Sequence, residues 1–365
     1  MMIPVNELLR GFKLYKDEYE QKVLEVLNSG WYILGKEVEN FQNMFSAKLG
    51  NGYFTMGVDN GLNAIKIGLV AAGIEKGDEV IVQANGYIAT VLAVIHCGAV
   101  PIFVEPNKYY GMDVTSLEKA ITKKTKAVLV THLYGLVSDM EKIVEICDKY
   151  NLLLFEDCAQ AHFAKYMNKY AGTFGKAGFF SFYPTKNLGA FGDGGAVISR
   201  DKNFIEKVKV LRNYGSDYRY HNIYLGYNSR LDELQAGLLQ VKLKHYDELL
   251  NNRTKIANLY LKGINNRKII LPFVPNASIH VWYQFVIQVD SRNEFINYMK
   301  ESGIGTDILW QTPPYLQPVM KNYYSIENKK FPITEKICKR IVSLPMMDYM
   351  YDDEIKYIIK MINKY

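Results

Sequence analysis

Cysteine is scarce in this sequence. Its 365 residues hold four, Cys97, Cys147, Cys158 and Cys338, with no C-x-x-C pair and no metal-like spacing. That excludes a disulfide framework and a zinc module, and it fits free thiols in a reducing compartment. Histidine is nearly as rare, and the six present (His96, His132, His162, His221, His245 and His280) form no metal-spaced pair, so no metal is expected. No apolar run is long enough to span a membrane. The most apolar stretch, 89–104, is interrupted by His96, Gly98 and Pro101 and reads as helix, turn and strand. The N-terminal segment carries charges where a signal peptide needs an apolar stretch. Blocks of like charge are missing too. The 44 Lys+Arg and 38 Asp+Glu leave a scattered +6, which argues against a nucleic-acid partner but would help attract a phosphorylated small molecule. A soluble, cytoplasmic protein with no nucleic-acid and no membrane partner is expected.

Apolar material is plentiful, at 48% of residues, and the length suits more than one core. From about residue 50, short aliphatic runs (FTMGV, EVIVQ, VPIFVE, KAVLVT, LLLFED) alternate with amphipathic stretches such as NGLNAIKIGLVAAG and DMEKIVEICDKY. This rhythm predicts an α/β fold, a mainly parallel sheet covered by helices on both faces. Beyond Cys158 two strands, AGFFSFYP and GGAVISR, flank a glycine-rich loop. A long helical stretch from Ser229 to about Lys262 follows, with Ser229 as its N-cap and Glu233 adding negative charge near its start. The remainder mixes strand and helix. The expected division is a large domain over 1–250 and a small C-terminal α+β domain over 251–365.

Three segments carry chemistry. In LLLFEDCAQAH (152–162) a buried strand delivers Glu156 and Asp157 at its carboxyl end, where parallel sheets bind ligands. A carboxylate there could be a metal ligand, a general base or the partner of a buried cation. In SFYPTKNLGAFGDGGAV (181–197), Lys186 lies between an aromatic strand and glycines that let backbone approach a ligand. GVDNGL (57–62) is a tight turn leading into a helix N-terminus, which suits a phosphate. Pyridoxal 5′-phosphate asks for these three things: an amine for its aldehyde, an acid for its pyridinium nitrogen and a phosphate cradle.

With GWYILGKEVENFQNMFSAKLG, GYNSRLDELQAGLL and the terminal FPITEKICKRIVSLPMM, these motifs make the chain resemble, over nearly its whole length, the DegT-type sugar-nucleotide aminotransferases. The resemblance implies a three-layer fold of the aspartate-aminotransferase type (pyridoxal-phosphate fold type I). It implies pyridoxal phosphate as cofactor, with pyridoxamine phosphate as the halfway form. Lys186 would bind the aldehyde and shuttle the proton. Asp157 would hold the ring nitrogen protonated, Gln160 would bond the ring hydroxyl and Tyr87 would stack on the ring. Ser181 and the turn Asn60, Gly61 and Leu62 would take the phosphate, joined by Asn228 of a neighbouring subunit, so that a homodimer shares its active sites. Tyr183, Tyr214 and His221 are candidate substrate contacts.

The family aminates C3 or C4 of a hexose. Asn60-Gly61-Leu62 and Ala159-Gln160-Ala161-His162 resemble the C3 group, which implies transfer from glutamate to a dTDP-linked 3-keto-6-deoxyhexose in O-antigen, lipopolysaccharide or other glycan biosynthesis. A 4-keto substrate aminated at C4, or a cofactor-binding sensor without turnover, is the alternative. One stretch departs from the family pattern. In 308–315 (ILWQTPPY) Leu309 and Tyr315 replace two expected histidines, so no sugar contact is carried over to them.

Overall fold

The aliphatic runs do become parallel strands, and their periodicity explains why both faces of the sheet are covered. A computed structural model describes residues 2–323 and 330–365. Seven strands form the main sheet: β1 (Phe54–Val58), β2 (Glu79–Gln83), β3 (Val100–Val104), β4 (Thr125–Thr131), β5 (Leu153–Asp157), β6 (Ala177–Ser181) and β7 (Gly195–Ser199). Their order is β1-β7-β6-β5-β4-β2-β3. Only β7 runs against its neighbours.

Alternate residues point to opposite faces of each strand. Ile81, Val128, Val130 and Phe180 enter one core, while Val80, Val82, Ala127, Leu129 and Phe179 enter the other. Helices Lys36–Leu49, Met140–Lys149 and Glu233–Lys244 cover the first face. Helices Gly61–Ala71, Ile88–His96 and Lys202–Leu211 cover the second. Rings of Phe41, Phe45, Phe180 and Phe182 pack edge-on and tilted in the first core, and each fully buried ring contributes about 2–3 kcal/mol.

A third core belongs to the C-terminal part. There an antiparallel sheet of Ile269–Ile270, Phe285–Val289 and Ile341–Leu344 packs against helices Tyr246–Gly263, Arg292–Glu301 and Asp352–Lys364. Ile355, Ile358 and Ile362 supply the buried stripe of the last helix at helical spacing. Among the described residues no helix is long and apolar enough to cross a membrane.

One local expectation fails. The stretch after Ser229 forms two helices, Glu233–Lys244 and Tyr246–Gly263, with Asp232 at the first N-cap. Ser229 is fully buried and donates its hydroxyl to Asp59 instead. Glu233 reaches out of its own helix: its carboxylate accepts the backbone N–H of Gly35, Glu37 and Val38 at 2.8–2.9 Å, capping the neighbouring helix.

Candidate active site

The parallel strands end together, and their carboxyl edge carries the polar residues. At the end of β5 the strand alternation separates the two carboxylates. Asp157 faces the edge, almost fully buried, accepting the Thr90 hydroxyl at 2.6 Å and the Ala159 N–H at 3.1 Å. Glu156 turns the other way and holds the chain together. It accepts the N–H groups of Gly172, Phe174 and Gly175 at 2.7–2.9 Å and lies 2.9 Å from His132. His132, Glu156 and Cys158 bring ligand-type atoms within 4.8 Å of one another, but the Glu156 oxygens are committed to these bonds and burial holds the Cys158 thiol well above its ordinary range. Of the roles open to a strand-end carboxylate, Glu156 takes a structural one.

β6 ends at Ser181, and the chain then turns tightly. Lys186 N–H donates to the Tyr183 carbonyl at 2.8 Å, and Ala190 N–H closes the loop onto Phe182 at 2.7 Å. The Lys186 amine lies 3.3 Å from the Tyr283 hydroxyl and 4.4 Å from the centre of its ring. Burial alone would push the Tyr283 phenol up. The Lys186 charge, hydrogen bonds from Thr185 and Lys186, and Arg253 outweigh burial and hold it below the ordinary tyrosine range.

The turn after β1 makes the cradle. Asn60 caps helix Gly61–Ala71 by accepting Asn63 N–H at 2.8 Å, and Asp59 accepts the Asn63 side-chain amide. The helix leaves its first N–H groups, at Gly61 and Leu62, without intrahelical acceptors. Ser181 abuts them so closely that a Cβ on Gly61 would stand 2.7 Å from the Ser181 Cβ. A bare glycine, a hydroxyl and a helix N-terminus in contact fit a phosphate. Together with a buried carboxylate for a pyridinium and a lysine amine, the chain has the donor set pyridoxal phosphate needs.

Gln160 accepts Tyr134 N–H at 2.7 Å, and the Tyr134 hydroxyl donates to the Leu309 carbonyl at 2.6 Å. Tyr87 is half-exposed, not core, and stacks on Trp310 at 4.8 Å between centroids. Tyr183 is exposed beside the lysine turn. Tyr214, His221 and Asn228 come from another segment, and Asn228 directly precedes Ser229, whose hydroxyl donates to Asp59 of the cradle turn. The hairpin of Ser216–Tyr218 and His221–Asn222 follows Tyr214, His221 is spent on Asp217 at 2.6 Å and on Tyr218, and Asn228 bridges Asn213. Among the described residues no hydrogen bond or ring contact joins these three to Lys186. Tyr315 is buried against Phe103 and Phe331, which explains its size and removes it from the site.

Sequence reasoning passed over Thr90, Tyr134, Trp310 and Tyr283. Thr90 opens the helix that follows Tyr87, a faint signal. Tyr283 had none, because its segment meets the lysine only through the fold.

A lysine turn, a strand-end acid and a phosphate cradle on the carboxyl edge of this three-layer sheet define a pyridoxal-phosphate aminotransferase of fold type I. Residues 14–363 match the model of the DegT/DnrJ/EryC1/StrS aminotransferase family, and the chain belongs to that family. It is 45% identical, over 100% of its length and 99% of the relative's, to the dTDP-3-amino-3,6-dideoxy-alpha-D-galactopyranose transaminase of Aneurinibacillus thermoaerophilus. It superposes at TM-score 0.96 on S. venezuelae DesV, solved in complex with a ketimine intermediate, with 36% identity and coverage of 100% and 98% of the two chains. It also superposes at TM-score 0.88 on NtdA of Bacillus subtilis with bound cofactor PMP, with 28% identity and coverage of 95% and 80%. The family, fold and cofactor expected from the motifs agree with these findings.

Proposed function

We propose that this aminotransferase acts on a nucleotide-linked keto-sugar, moving the amino group of glutamate to C3 of a dTDP-linked 3-keto-6-deoxyhexose. The observation that carries the reading is the full-length 45% identity to a transaminase named for a dTDP-3-amino-3,6-dideoxy sugar. The Asn60-Gly61-Leu62 turn, built into the phosphate cradle, supports it.

These contacts support the following roles. Pyridoxal phosphate, when bound, supplies the electron sink that makes the proton next to nitrogen removable. Lys186 would hold the aldehyde and serve as a positioned base and acid for that proton. Asp157, held by Thr90 and Ala159, would keep the ring nitrogen protonated. Gln160, whose oxygen accepts Tyr134 N–H, has its amide nitrogen left to bond the ring hydroxyl. Tyr87, stacked on Trp310, would pack on the ring. Ser181 and the N–H groups of Gly61 and Leu62 would hold the phosphate.

Asn228, Tyr214 and His221 complete the site of a partner in a homodimer, with Tyr183 lining the sugar entrance. Support for the dimer comes from the apolar residues this region leaves uncovered: Tyr220 is 86% exposed and Leu225 95%, with Tyr218 exposed as well. Four free cysteines accord with work in the cytoplasm.

The test is product analysis. Holoenzyme given glutamate and the dTDP-linked 3-keto sugar is expected to yield nitrogen on C3 by NMR. Nitrogen on C4, or turnover restricted to a 4-keto or UDP-linked sugar, would overturn the assignment. Substituting Lys186→Ala is expected to abolish turnover and leave the fold intact.

A further inference from the structure

In every turnover the amine of Lys186 is released and must return to the same carbon. Left loose on four methylenes, it would lose orientation between the two events. The geometry points to Tyr283 as the positioning residue that docks this amine whenever it is free, an inference that rests on Lys186 being the cofactor lysine.

The contact is two-fold. The hydroxyl accepts an N–H of the amine at 3.3 Å, and the ring lies 4.4 Å below it. A phenol suits the task because it can accept from an ammonium and donate to a neutral amine, so the docked group stays bonded in either protonation state. Thr185, 3.5 Å from the same hydroxyl, is its other polar neighbour.

Tyr283 is held where it is by backbone fastenings that ordinary core packing would not require. It is 6% exposed and lies two residues before the strand Phe285–Val289 of the C-terminal part. Val281 N–H donates to the Gly135 carbonyl at 2.9 Å, and the Asn187 amide, next to the lysine, donates to the Val281 carbonyl at 2.6 Å. Arg253 donates to the Trp282 carbonyl at 3.0 Å while pinned by Asp348 at 2.8–2.9 Å. Trp282 itself adopts a φ of 51°, a conformation unfavourable for a bulky residue. The chain accepts that cost and turns the next side chain onto the amine. Gly135 follows Tyr134, whose N–H orients Gln160, so one loop sets both the docking phenol and the ring-hydroxyl partner.

Tyr283→Phe keeps the ring and removes only the docking atom. In cofactor-free protein, labelling of Lys186 by an amine-reactive reagent, read by peptide mass spectrometry at fixed pH, is expected to run about fivefold faster in Tyr283→Phe, because the amine is no longer tied. In holoenzyme, kcat is expected to fall about tenfold or more while cofactor affinity and both KM values stay within about twofold. An unchanged labelling rate, or wild-type kcat, would overturn the inference. Should the unaltered enzyme fail to turn over the proposed sugar, the functional reading falls, and the labelling rate alone decides the role of Tyr283.

Discussion

His162 lies sealed beneath the lysine turn, against Phe180 and Phe182. Burial first, then the Lys186 charge, push its imidazole down to about 3, with the Ser181 backbone opposing weakly. An unfolded chain protonates histidine near its ordinary 6.5, so as pH falls the unfolded state takes up the proton that the folded state refuses. The stability His162 contributes is therefore complete above about pH 6.5 and drains away as pH falls toward 3. Each pH unit in that window removes about 1.4 kcal/mol, so at about pH 5 the loss is about 2 kcal/mol. His280, also pushed down to about 3 by burial, adds a similar amount. The perturbation is His162→Leu, and the assay is urea unfolding of the cofactor-free protein at about pH 7.5 and about pH 5. The variant is expected to lose about 2 kcal/mol less than the unaltered protein between the two conditions. At neutral pH it should be no less stable, because leucine places no polar atom in the apolar pocket. Equal acid losses in the two proteins would refute the reasoning.

Other outcomes follow from contacts already described. Gly61→Ala must push Ser181 aside, an overpacking cost of about 1–3 kcal/mol, so Tm should fall and cofactor affinity by absorbance titration should drop about tenfold or more. Gly135→Ala combines a φ of +103° with a Cβ 2.9 Å from the backbone nitrogens of Trp282 and Tyr283. It should cost about 1–3 kcal/mol, measured as a fall in Tm, and lower turnover through Tyr283. Tyr315→Ala empties a core position between Phe103 and Phe331 and should cost about 3–5 kcal/mol by denaturation. Tyr315→Phe should leave the sugar KM within about twofold, because the side chain packs in the core.

The parallel sheet was legible because β2 to β5 are continuous aliphatic runs, which only a strand covered on both faces can bury. The placement of Asp157 at a strand end and of Lys186 in a turn was legible because both are local: a few residues of sequence carry each. Ser229 misled because a serine before a helical pattern looks like a cap, and only the folded chain brings Asp59 to its hydroxyl. Tyr283 was invisible for the same reason, since 97 residues separate it from Lys186. Glu233 read as a helix-start charge and Glu156 as a candidate ligand or base, yet each satisfies three backbone N–H groups on other segments.

The central claim is that the amine at position 186 condenses with the cofactor while Asp157 keeps the far side of the ring charged. Borohydride reduction of the holoenzyme, followed by digestion and peptide mass spectrometry, tests it most directly. The account predicts a single pyridoxyl group on the peptide containing Lys186; an untagged Lys186 peptide, or a tag on another lysine, would contradict it.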